Sequence, residues 1–94
     1  MITKVIIKRQ VTKGKEQEFF NALREMRIYA LGQKGYITGE TLICADDQNK
    51  VVVISKWESP EDWENWRTSH EKQVINEKIE ALLDEPTQYE AYVF

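Results

Sequence analysis

The 94-residue sequence predicts an α+β fold in the order βαββαβ, and three observations predict it. Residues 2–11 and 87–94 alternate apolar and polar side chains, as half-buried strands do. Residues 15–31 carry apolar side chains at helical spacing, and a second helical region opens at Ser59-Pro60. Between the helices, residues 36–44 and 50–57 are rich in β-branched residues and separated by a short polar connection, the pattern of an antiparallel pair.

Each element has its own local reasons. In the first strand Val5, Ile7 and Val11 share a face with Arg9, while Ile2, Lys4, Ile6, Lys8 and Gln10 take the other. Gly14 breaks the strand. The first helix places Phe19, Leu23, Met26 and Ala30 on one stripe, joined by Phe20, Arg27 and Leu31; Glu16 and Glu18 suit its first turn, and Gly32 and Gly35 lie beyond its end. Residues 45–49 (Ala-Asp-Asp-Gln-Asn) are of hairpin length. Ser59 can cap the second helix, Pro60 fits its first position, and Asp62 stands where a capping-box acid reaches back. Thr68, Ser69 and Glu71 offer a second capping signal, so a break is expected near Thr68, before a further helix carrying Val74, Ile75, Ile79, Leu82 and Leu83. Pro86 ends that helix, and Tyr89, Ala91 and Val93 then alternate with Gln88, Glu90, Tyr92 and Phe94.

This order is the ferredoxin-like, split βαβ arrangement: a four-stranded antiparallel sheet with helices on one face. The sheet's other face requires a cover as well. Val51, Val52, Val53 and Ile54 are apolar on both sides of their strand, and Tyr92 and Phe94 oppose Tyr89 and Val93. The economical cover for a short chain is a second copy, sheet against sheet, in an isologous homodimer.

Composition narrows the function classes. The length suits one domain, residues 1–94, and a domain this small gains from self-association. A net charge of -3, with Lys and Arg scattered among Glu and Asp, provides no basic stripe for nucleic acid. No run approaches membrane-spanning length and no charged n-region precedes an apolar one, so no membrane partner and a cytoplasmic location are expected. One cysteine, Cys44, makes no intrachain disulfide, and with one histidine it cannot assemble a zinc or iron-sulfur ligand set. No metal or cofactor is expected. Cys44 lies in a strand segment, where a small apolar role is the default.

The residues that join aromatic area to reactive groups lie after the third strand. Trp63, Trp66, Arg67 and His70 are spaced i, i+3, i+4, i+7, which in a continuous helix puts them on one stripe. Such a stripe can wall a ligand cleft, although tryptophans at helical spacing are packing more often than chemistry.

Taken in order, Thr12-Lys13-Gly14-Lys15 with Glu18-Phe19, Gly35-Tyr36, Ser55-Lys56-Trp57-Glu58-Ser59, Trp63, Trp66, Ser69-His70 and the closing strand after Pro86 resemble the antibiotic biosynthesis monooxygenase superfamily. The resemblance spans nearly the whole chain and implies a dimeric α/β barrel. It leaves the reaction open, because one fold hosts many functions.

Three functions fit the resemblance. The first is a cofactor-independent monooxygenase acting on a small aromatic quinol, phenol or polyketide-like substrate, whose anion reduces dioxygen directly. That chemistry needs a base, a dry pocket and a cation near the developing oxyanion. His70 is the candidate base; Trp66, Trp63, Ile7, Phe19 and Leu23 are candidate walls; Arg9 or Arg67 is the candidate cation. The second is haem degradation. Trp66 resembles that branch's second-helix tryptophan, but its first-strand asparagine falls at Ile7 and its haem-ligating histidine near Asn76. The third is a non-enzymatic small-ligand-binding or stress-associated dimer, since no acid is evidently positioned to orient His70.

Overall fold

A computed structural model describes residues 1–94. The elements are β1 (Thr3–Gln10), α1 (Glu16–Leu31), β2 (Tyr36–Cys44), β3 (Asp47–Trp57), α2 (Pro60–Arg67), α3 (His70–Glu80) and β4 (Gln88–Val93). The strands form one antiparallel sheet in the order β2-β3-β1-β4, the ferredoxin-like order, with the second helical region in two pieces. No helix is long and apolar enough to cross a membrane.

Alternation along the strands separates the two faces of the sheet. Thr3, Val5, Ile7 and Arg9 of β1 are buried, as are Val51, Val53, Ser55 and Trp57 of β3, and α1 covers them with Phe19, Ala22, Leu23, Met26 and Ala30. Trp63, Trp66, Ile75 and Ile79 complete this core from α2 and α3. On the far face Ile6 pairs with Ile54, Lys4 with Tyr92, and Val52 with Leu42. Leu42, Tyr92 and Phe94 are exposed there.

Some boundaries differ from the sequence pattern. β3 begins at Asp47, so the hairpin turn is Ala45-Asp46 rather than all of residues 45–49. The ladder runs through polar residues because strand pairing is a backbone interaction, and the side chains are used locally. Asp47 accepts from the Asn49 N–H, and Asn49 donates to the Val11 carbonyl and to Glu16. At the other end α3 stops at Glu80, short of Leu82 and Leu83. There the Leu82 carbonyl accepts from the Thr12 N–H at 2.8 Å and Leu83 bridges to Val11.

Both helix starts follow their caps. Ser59 accepts from the Asp62 N–H at 3.1 Å, and Ser69 accepts from the Lys72 N–H at 3.2 Å. Thr68 and Ser69 therefore lie between two helices. Gly35, at φ +83°, makes the turn that leads into β2, and its carbonyl accepts from the Glu58 N–H at 2.8 Å.

Candidate active site

A cavity lies between the sheet, α1 and α2. β1 supplies Ile7 and Arg9; β3 supplies Val53, Ser55 and Trp57; α1 supplies Leu23, Met26, Arg27 and Ala30; α2 supplies Trp63 and Trp66; α3 supplies Lys72; and Tyr36 and Gly39 of β2 close it. Its volume is about 40 Å³, room for water and not yet for an aromatic ring. Leu23 and Arg27 also border an outer groove of about 190 Å³ with Phe20, Arg24 and Thr41. Arg27 donates to Thr41 Oγ1 at 2.8 Å, and with Leu23 it stands between the two spaces, so entry of an aromatic ring from the groove requires these side chains to rotate.

The aromatic wall is a row of rings in contact. Tyr36 meets Trp57 edge-on at 5.2 Å, Trp57 lies 6.0 Å from Trp63, and Trp63 lies 5.8 Å from Tyr89. Trp57 Nε1 is satisfied by Ser55 Oγ at 3.1 Å. Trp57 thus presents its ring to the wall with its indole donor already paired.

Two buried cations face this wall. Lys72 is 3% exposed; its Nζ donates to the Tyr89 hydroxyl at 2.8 Å and sits 4.9 Å from the centre of that ring. The Tyr89 hydroxyl in turn donates to Asn76 Oδ1 at 3.4 Å. Burial, reinforced by the positive charges of Arg9 and Arg67, lowers the Lys72 pKa to about 8. Arg9 is 4% exposed. Its Nε donates to Thr87 Oγ1 at 3.2 Å and Tyr89 stands beside it, but Nη2 is buried with no hydrogen-bond partner. Burial pushes the Tyr89 and Tyr36 hydroxyls up, opposed by Arg9 and Arg27 respectively.

The expected site residues divide into two groups. Ile7, Arg9, Leu23, Trp63 and Trp66 meet at the cavity. Phe19 does not line it: fully buried, it packs edge-on against Phe20 in the core. Arg67 turns outward, where its Nε donates to Glu64 at 3.0 Å, and it borders a separate depression with Lys72, Gln73, Asn76 and Tyr89. His70 is exposed at the first position of α3 and borders an outer depression with Glu25, Tyr29, Glu71, Val74 and Ile75, away from the Trp-lined cavity. The helix is broken at Thr68-Ser69, where a break was expected, so the single stripe that a continuous helix would give does not form. Ser69 is extended, at φ -68° and ψ 152°, so helical phase is not carried from Trp66 to His70.

Lys72, Tyr89, Tyr36 and Trp57 were not among the expected site residues. Lys72 had a signal in the sequence: it stands three residues before Ile75 and seven before Ile79, on the buried stripe of α3. The others read as ordinary strand residues, because the cavity forms only when β1, β2 and β3 meet the helices, and Tyr89 of β4 stands behind it, bonded to Lys72. No three His, Cys, Asp or Glu side chains gather as metal ligands.

Comparison with known proteins agrees with this fold. The chain is 38% identical over 64 residues to the uncharacterised protein YczJ of Bacillus subtilis (strain 168), covering 67% of each chain. A conserved protein from Methanosarcina mazei Go1 superposes with a TM-score of 0.92 over 98% of this chain and 91% of its own, at 21% identity. SnoaB, a cofactor-independent oxygenase from Streptomyces nogalater, superposes with a TM-score of 0.90 over 99% of this chain and 92% of its own, at 15% identity. At those identities the structures share the fold, and the sequence itself carries the kinship. The model of the antibiotic biosynthesis monooxygenase family matches residues 2–88, and the chain belongs to that family.

Proposed function

We propose that this protein is a cofactor-independent monooxygenase acting on a small electron-rich aromatic, a phenol, quinol or polyketide-like molecule, in the Trp-lined cavity. The observation that carries this reading is Lys72. A buried amine with a pKa of about 8 beside an apolar aromatic wall is placed to exchange a phenolic proton near neutral pH. Lys72 therefore replaces His70 as the candidate base.

The reaction closes without an added reductant. The neutral Lys72 amine takes the phenolic proton, and Arg9 and the newly formed ammonium stabilise the phenolate. The phenolate gives one electron to dioxygen, and the resulting radical and superoxide join at the unsubstituted ring carbon para to the oxygen. Lys72 returns its proton to the peroxide. The hydrogen on that carbon then leaves with the distal hydroxyl as water, and the substrate becomes a quinone. One oxygen atom enters the product, the other enters water, and the substrate supplies all the electrons. Trp57, Trp63 and Trp66 exclude water from the radical pair.

The reading includes a homodimer formed through the outer sheet face, which supports it with exposed Leu42, Tyr92 and Phe94 around half-buried Ile6 and Ile54. Oxygen uptake by protein freed of metal and flavin, with dihydroxynaphthalene and anthrone substrates and the uncatalysed rate subtracted, tests the activity. Uptake is expected to fall by about 100-fold or more in Lys72→Met, the range that loss of a general base gives. No uptake above the uncatalysed rate on any such substrate overturns the reading and leaves the non-enzymatic binding dimer.

A further inference from the structure

The cavity wall contains three cationic side chains, Arg9, Arg27 and Lys72, and no carboxylate. In a chain of net charge -3, this is an uneven placement of charge in its least hydrated space. Arg27 and Lys72 each donate to a hydroxyl, Thr41 and Tyr89, neither of which offsets charge. Glu80 is the one carboxylate that attracts both Arg9 and Lys72, and it is already occupied, accepting from the Thr87 N–H at 3.2 and 3.3 Å. Arg9 Nη2 is left as a buried donor with nothing to bond. Unmet donors on a buried charge cost more than ordinary ones, and a guanidinium edge is shaped for a carboxylate.

We infer that the ligand of this cavity carries a carboxylate on its aromatic body, and that Arg9 Nη2 receives that carboxylate while the ring lies against Trp57, Trp63 and Trp66. This deepens the proposed function, since it rests on the same cavity being the substrate site. It adds a fixed anionic group to the substrate, separate from the phenolate that reacts. Lys72 supplies the second positive charge. Ile7, Leu23, Met26, Ala30 and Val53 make up most of the remaining lining, which favours an organic anion over an inorganic one that would have to shed its hydration on every side.

Calorimetric titration under nitrogen with 2-naphthoate and its neutral isostere 2-naphthamide tests this without turnover. Naphthoate is expected to bind about tenfold or more tightly than the amide, the range a charged hydrogen bond contributes. Arg9→Gln is expected to abolish that preference by weakening naphthoate binding more than naphthamide binding, and Arg9→Lys to restore part of it. On the native protein the preference is expected to shrink as pH rises above 8, where Lys72 loses its charge while Arg9 keeps its own. The groups facing Lys72 are Tyr89 of β4, Arg9 of β1, Arg67 of α2 and Glu80 and Asn76 of α3. This arm decides the matter if Arg9→Gln does not fold. Equal binding of the two probes, binding of neither, or an undiminished preference in folded Arg9→Gln overturns the inference. Carboxylate preference without oxygen uptake overturns the oxygenase reading alone, and uptake with no carboxylate preference overturns this inference alone.

Discussion

At the scale of single residues, Lys72 links stability to function. Its folded pKa of about 8 lies below the ordinary 10.5, so between those values the unfolded chain binds the proton more strongly than the folded one. The buried charge therefore destabilises the fold at every pH below about 8, and stability rises as pH climbs from there toward 10.5. Lys72→Met is expected to be more stable than the native protein at pH 7 by about 2 kcal/mol, once the lost bond to Tyr89 is set against the relieved charge. The difference should vanish at about pH 10 and reverse by pH 10.5, where the lost hydrogen bond outweighs what remains of the charge penalty. Denaturant unfolding at the two pH values measures it, and a less stable variant at pH 7 would contradict the desolvated-ammonium account. His70 presents the opposite case. Because it stands outside the cavity, His70→Gln is expected to keep oxygen uptake within about twofold of native, far from the loss a general base would give.

At the scale of elements, two short connections set which side chains enter the cavity. The Ser69 cap restarts the helix and turns Lys72 inward while His70 points out. Ser69→Ala is expected to cost about 1 kcal/mol, as loss of an N-cap does, and to weaken any effect that depends on Lys72. Gly35 holds the start of β2 against α2. Its positive φ disfavours any side chain, and an added Cβ would stand 2.6 Å from Asp62 Cβ, closer than atoms pack. Gly35→Ala is expected to lower stability by about 2 kcal/mol or more, a drop of roughly 8 °C or more in Tm for a domain of this size. An unchanged melting curve would show that this turn does not hold the two elements together. The capping signals at Ser59 and Ser69 were legible in the sequence, because a cap is a local hydrogen bond between a side chain and the next turn. The bulges of β2 and the two-residue hairpin turn were not, because register depends on the partner strand.

At the scale of the whole molecule, the sheet carries apolar side chains on both faces, those of the outer face interspersed with charges such as Lys8 and Glu90, and has only one layer of helices. The homodimer reading predicts a mass near twice 11.1 kDa by light scattering at micromolar concentration. Ile54→Glu, which sets a charge in the centre of the outer face opposite Ile6 and Glu40, is expected to give monomers that retain native helix and strand content by circular dichroism. A native protein that scatters as a monomer would leave the outer face without its cover.

The order of elements, the inward face of β1 with Arg9 upon it, the α1 stripe and the start of α2 were determined by the sequence alone, since periodicity and capping act over a few residues. So was the family, which depends on the order of such local features along the chain. The tertiary structure decided which of the candidate residues share a space. Phe19 became core, Arg67 and His70 went to the surface, and Lys72 and Tyr89 came together from positions seventeen residues apart to face Arg9. The physical reason is that a two-residue break reset the phase of one helix, and that β4, from the end of the chain, pairs with β1, from its beginning. A cavity is a property of elements in contact, which no single segment of sequence contains.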